Sequence, residues 1–130
     1  MNTKRTRHAA YQINYHLVWC PKFRRPVLEG KVGKRLVELI PPIVERNGGE
    51  VLELVVRPDH VHLFVSFPPT IAINQIVFRI KGGTSHQLRK EFPKLKSRLP
   101  SLWTRGYYVG TAGCVSAETI QHYIKQQKGH

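Results

Sequence analysis

Val56-Arg57-Pro58-Asp59-His60-Val61-His62-Leu63-Phe64-Val65 reads as the end of one β-strand, a two-residue turn and the start of a second strand. Period two sends Val61, Leu63, Val65 and then Phe67 to one face, which has the composition of a core face. His60 and His62 go to the other face, side by side and one pleat apart. Two imidazoles so placed on a rigid strand can grip one metal ion. A pair of solvated surface histidines is the plainer alternative, and the rest of the chain decides between them.

Outward from this hairpin, Glu50 to Arg57 forms its first strand. Tyr11 to Trp19 alternates and is aromatic, so it reads as an earlier strand, ended by the basic, proline-bounded loop Pro21-Lys22-Phe23-Arg24-Arg25-Pro26. A helix follows from about Lys31, with Leu36, Val37, Ile40, Ile43 and Val44 on one side. Pro41-Pro42 is expected to kink or stop it, and Asn47-Gly48-Gly49 is its end signal. After Pro68-Pro69, Thr70 is placed to cap a second helix that buries Ile73, Ile76, Val77 and Ile80. Gly82-Gly83 weakens its middle, and Phe92-Pro93 stops it. A basic loop with Lys94, Lys96 and Arg98 leads to a strand over Trp103 to Gly110. Thr111-Ala112-Gly113 reads as a hinge, Ser116 as an N-cap and Glu118 as a first-turn anion on a last helix running to about Lys128.

The order β-α-β-β-α-β plus a final helix predicts an α+β, ferredoxin-like (RRM-like) fold, with an antiparallel sheet, helices on one face and the other face open. No linker or repeat divides the chain, so residues 1–130 are expected to form one domain. Hydrophobic residues at 41% and charged residues at 22% describe a globular protein. Neither a spanning apolar run nor an apolar signal core is present, which predicts a cytoplasmic, DNA-associated protein. Twenty-one Lys and Arg against 8 Asp and Glu give a net charge of +13, for which a nucleic acid is the expected partner. Cys20 and Cys114 have no zinc spacing and suit a reducing compartment as small buried hydrophobes.

On the last helix, Tyr123 and Gln127 are four residues apart and share a face. Each alone is ordinarily packing or solvated. Beside the histidines they acquire a chemical logic. His60 and His62, with the Gln127 carbonyl as third ligand, could hold a metal that polarises a scissile phosphate, while the Tyr123 phenol attacks it. The resulting phosphotyrosine would conserve the bond energy, so a strand could be rejoined without a nucleotide cofactor.

These residues stand in a longer pattern. It includes Tyr15-His16-Leu17-Val18-Trp19-Cys20-Pro21-Lys22-Phe23-Arg24-Arg25, Pro58-Asp59-His60-Val61-His62-Leu63, Lys81-Gly82 and Leu88-Arg89-Lys90-Glu91-Phe92-Pro93. It continues through Leu102-Trp103 to Gly106-Tyr107-Tyr108-Val109, then Gly113, Val115-Ser116 and Tyr123-Ile124-Lys125-Gln126-Gln127. Over essentially its full length the chain resembles the small TnpA-type transposases of prokaryotic insertion sequences, the single-tyrosine members of the HUH endonuclease superfamily. The resemblance implies a Mg²⁺- or Mn²⁺-dependent enzyme that excises and inserts single-stranded DNA, recognises hairpins near element ends and forms a 5′-phosphotyrosine. It implies Tyr123 as nucleophile and His60, His62 and Gln127 as metal ligands. It also implies a homodimer whose active sites each combine the histidines of one subunit with the tyrosine helix of the other. Pro41-Pro42 departs from the pattern, in a segment that is ordinarily a plain helix.

Lys22, Arg24 and Arg25 next to Trp19 and Phe23 suit phosphates and unstacked bases. Lys81, Arg89 and Arg105 are further candidate DNA contacts. His122 points away from Tyr123, and His8, His16, His86 and His130 have no partner at metal spacing. Asp59 is explained by the turn, with a bond to a ligand histidine as its other use. Two other readings compete. A non-catalytic single-stranded nucleic-acid-binding module would account for the charge and for Arg105-Gly106-Tyr107-Tyr108-Val109, but would not need the histidines, Tyr123 and Gln127 together. A domesticated repeat-associated tyrosine transposase would share the chemistry and act on scattered repeats. A relaxase ranks below both.

Overall fold

The computed structural model describes residues 4–5, 10–11, 13–111 and 117–127. Four antiparallel strands form the sheet: β1 (Asn14–Trp19), β2 (Glu50–Arg57), β3 (His60–Ser66) and β4 (Tyr108–Thr111). Their order is β2-β3-β1-β4, as the ferredoxin-like arrangement requires. Helices α1 (Gly30–Arg46) and α2 (Ile73–Glu91) cross over between strands, followed by short α3 (Pro93–Arg98) and, after β4, α4 (Ala117–Gln126). A two-stranded ribbon pairs Lys4–Arg5 with Ala10–Tyr11.

β3 sits at the centre, paired on one side with β2 and on the other with β1. Val61, Leu63 and Val65 are fully buried on the helix side, against Leu36, Ile40 and Val44 of α1 and Ile76 and Ile80 of α2. Burying such side chains is worth about 1.5–3 kcal/mol each. That strength holds β3 in one register, because a one-residue slip would exchange the core set for the histidines. At Gly83 of α2 the helices pack tightly: a Cβ there would stand 3.2 Å from Ile43 Cδ1 of α1. At the edge of the core, Trp19 and Trp103 meet edge to face, and Trp103 Nε1–H donates to Thr84 Oγ at 3.1 Å.

Several local expectations are corrected. α1 runs unbroken through Pro41 and Pro42. The two carbonyls that lose donors, Val37 and Glu38, belong to exposed residues, where water can replace the missing bonds. Thr70 does not cap α2, which begins after Ala72 without a side-chain cap. Pro93 ends α2 but opens α3, so Lys94, Lys96 and Arg98 lie on a helical turn, proline being suited to a first helical position. The last strand is shorter than expected, Trp103 contributing only an isolated bridge to Pro21. Ala112, Gly113, Cys114 and Ser116 lie outside the described residues, as do His8 and His130. Cys20 is buried, as expected of it. Among the described residues no helix is long and apolar enough to cross a membrane.

Candidate active site

The pairing Val18↔His62 and His16↔Phe64 places His16, Val18, His62 and Phe64 on the face opposite the core. Arg57 faces His60 across the hairpin, and Tyr108 faces Val18 from β4. Both candidate ligand histidines are half-buried there. His60 Nδ1–H donates to Asp59 Oδ1 at 2.9 Å, which leaves its Nε2 lone pair free. Asp59 in turn meets Arg24 Nε at 3.5 Å. The turn residue is therefore also the residue that orients His60.

His62 Nε2 lies 2.9 Å from His16 Nδ1, and the His16 ring stacks on Phe64 at 4.3 Å. His16, expected to be a surface or packing residue, thus has a hydrogen-bond partner in His62. The signal was available in part, since β1 and β3 alternate with the same period, but the register that brings positions 16 and 62 together was not. Burial lowers the pKa of both imidazoles below 6.5, and for His62 the nearby His16 and His60 lower it further, Glu53 opposing. Neutral imidazoles are the form that binds a metal.

Tyr123 reaches the same face from α4. Its ring lies 6.1 Å from that of Tyr108, a strand position two inter-strand spacings from His62, about 10 Å across the sheet. Its hydroxyl is buried without a well-formed hydrogen bond, in a nook beside Thr104 and Gly106, where a Cβ would stand 3.8 Å away. Burial pushes the phenol up to about 12, the Cys20 thiol adds to this, and Thr104 offsets it only in part. Gln127 follows the last residue of α4 and is half-buried; neither it nor Tyr123 bonds a histidine among the described residues. His60, His62 and Tyr123 are thus gathered on one face, with no hydrogen bond between the histidines and Tyr123 among the described residues.

The candidate DNA-binding cations divide into two kinds. Arg25 and Arg105 are exposed, and Lys22 lies over the Phe23 ring at 5.3 Å. Arg24 is used internally: besides Asp59, its Nη1 donates to the Ile124 carbonyl at 3.2 Å, fastening α4. Lys81 Nζ donates to the carbonyls of Thr104, Arg105 and Gly106 at 2.6, 3.2 and 2.9 Å, bracing the loop under Tyr123. Its pKa is drawn down to about 8 by burial, with Cys20 opposing. Arg89 reaches the Leu99 carbonyl at 3.5 Å and keeps a buried Nε without a partner. Sequence reasoning passed over Phe78, which is 78% exposed and borders a groove of about 370 Å³ with Lys81, Arg105 and Tyr107. Its only signal was an aromatic residue off the buried stripe of α2.

Comparison with known proteins bears on the family. Residues 9–127 match the family described as "Transposase IS200 like". The chain is 37% identical over 129 residues to the ISDra2 transposase TnpA of Deinococcus radiodurans, covering 98% of this chain and 92% of that protein. It is 33% identical over 122 residues to the transposase for insertion sequence element IS200 of Salmonella typhimurium, covering 92% and 80%. A crystal structure of a transposase from D. radiodurans superposes with a TM-score of 0.91 at 34% identity, covering 98% of this chain and 99% of that one. A REP-associated tyrosine transposase, solved bound to a REP hairpin, shares the fold at a TM-score of 0.58 and 16% identity, covering 93% and 67%. The fold and the match over residues 9–127 lead to one conclusion: the chain belongs to the IS200-like transposase family, enzymes that cleave DNA.

Proposed function

We propose that this transposase cleaves and rejoins single-stranded DNA at hairpin-marked element ends through a covalent 5′-phosphotyrosine on Tyr123. The observation that carries the reading is the arrival of Tyr123 on the face where Asp59 and His16 already hold His60 and His62. The Tyr123 oxygen would form a bond to phosphorus as the bond from phosphorus to the 3′ oxygen breaks. The phenolic proton is lost and the 3′ oxygen gains one. Attack by another 3′-hydroxyl reverses the step and joins a new strand. A phenol held near 12 is a poor nucleophile, so its hydroxyl has to leave the nook at Thr104 and Gly106 to meet a phosphate.

The residues fit a divalent ion. His60 has its Nδ1 occupied by Asp59 and its other nitrogen free, His62 is half-buried beside it, and Gln127 supplies an amide oxygen on the tyrosine helix. When bound, Mg²⁺ or Mn²⁺ would neutralise charge on the scissile phosphate. Exposed Arg25, Arg105 and Phe78 suit single-stranded DNA, through phosphate contact and base stacking. The hairpin bound by the REP-associated transposase supports a hairpin as the recognised DNA. A homodimer with shared sites is part of the proposal: α4, fastened here to its own sheet, would seat on the partner's.

The test is a denaturing gel of labelled single-stranded and duplex DNA carrying the element ends, with and without Mg²⁺. A metal-dependent covalent adduct on single strands, reduced on the order of 10⁴-fold or more in Tyr123→Phe, is expected. Tight binding with no adduct would favour a non-catalytic binding protein.

A further inference from the structure

We propose that His16 is a positioning residue for the metal site: its Nδ1 accepts a hydrogen bond from His62 Nε2–H and so directs the free lone pair of His62 to Nδ1. The inference rests on the reading of His60 and His62 as ligands. The two nitrogens are 2.9 Å apart, the ring centroids are 5.1 Å apart so that the rings meet end to end, and Phe64 stacks on the His16 ring at 4.3 Å and 13°. Register explains the meeting: His16 pairs with Phe64 and Val18 with His62, so His16 lies diagonally across from His62 on the same face.

A neutral imidazole has one N–H and one lone pair. If His16 donated in this contact, His62 Nε2 would accept, its proton would sit on Nδ1, and no lone pair would remain for a metal. Only the arrangement with His62 donating leaves it able to ligate. Asp59 does the corresponding work for His60, since a carboxylate can only accept, which keeps the proton on Nδ1 and the lone pair on Nε2. The pair therefore presents different nitrogens: Nε2 from His60 and Nδ1 from His62. Each is set by a neighbour that need not touch the metal.

The experiment is a calorimetric Mn²⁺ titration of the full chain and of His16→Phe, His16→Asn and His60→Ala, with melting curves of each. Long-range ¹H–¹⁵N spectra of the histidine rings accompany it. His16→Phe keeps a ring on Phe64 and removes the acceptor, so Mn²⁺ affinity should fall about 10- to 100-fold. His16→Asn places an oxygen near the Nδ1 position and should recover most of it. The spectra of the natural protein should show His62 protonated on Nε2. Full affinity in His16→Phe, equal weakness in His16→Asn, or His62 protonated on Nδ1 would each overturn the proposal. Unchanged affinity in His60→Ala would overturn the metal site itself. Loss in His60→Ala with none in His16→Phe would overturn only the role of His16.

Discussion

β3 and α4 carry the two halves of the site and are held in opposite ways. β3 is hydrogen-bonded on both edges, its core side chains are fully buried, and its histidines have partners that set their orientation. α4 presents half-buried Ile120, Tyr123 and Ile124 to the sheet, and Arg24 holds it through a side-chain bond to the Ile124 carbonyl. A strand built into the core keeps its geometry whether or not DNA is present. A helix whose inner side chains are only half-buried can be delivered, withdrawn or exchanged at less cost to the fold than a core strand.

The sharpest way to break this comparison is to separate the halves genetically. A mixture of His60→Ala/His62→Ala subunits with Tyr123→Phe subunits should regain strand cleavage if the helix crosses between subunits, since one site per dimer is then intact. If each helix serves its own sheet, the mixture stays as inactive as its parents on the adduct gel. Next in size is stability. Leu63→Ala, in the fully buried row of β3, should cost about 2–5 kcal/mol. Ile124→Ala on α4 should cost about 1 kcal/mol or less. Urea unfolding reads both, and equal losses would mean that α4 is as integral as the strand. A smaller effect is expected of Arg24→Gln, which removes the link from α4 to Asp59 and should lower protection of α4 amides from hydrogen exchange while leaving that of β3 unchanged.

The smallest effect is one of pH. His16 and His62 titrate below 6.5 in the folded chain because burial opposes the imidazolium. The unfolded chain therefore takes up protons first as pH falls. The stability these two groups allow is fully present above 6.5 and is lost as pH drops through 6.5 towards their folded values. Urea midpoints at pH 7.5 and 5.5 should differ in that direction, and less so in His16→Phe. For the same reason the proposed metal affinity should persist at 6.5 and fall only at lower pH.

What was legible in the sequence follows from the same contrast. The hairpin, the alternation of β3 and the stripe of α1, apart from Val37, which is exposed, were readable because each is a local period enforced by burial. Pro41-Pro42 misled because a proline's cost depends on whether the orphaned carbonyls reach water, which only the tertiary position decides. Thr70 misled because the chain runs two residues further before turning helical. His60, His62 and Tyr123 could be named from spacing, but His16 could not be joined to them without the register of two strands far apart in sequence. The internal duties of Lys81 and Arg24 were hidden for a related reason. A basic residue beside aromatic ones reads as a DNA contact, and a loop of carbonyls folding over it leaves no mark in composition.

That last point bears on how strongly salt should weaken DNA binding. Lys81 gives all three ammonium protons to main-chain carbonyls, Arg24 bridges Asp59 and a helix carbonyl, and Arg35 is paired with Glu91. None of these releases a counterion from a phosphate while it stays so engaged. Each contributes nothing to the slope of log K against log salt, where a free cation meeting a single strand contributes about 0.7. The net charge of +13 already discounts Asp59 and Glu91, so of these three only Lys81 takes a cation away from that excess, and DNA binding should stay strongly salt-dependent.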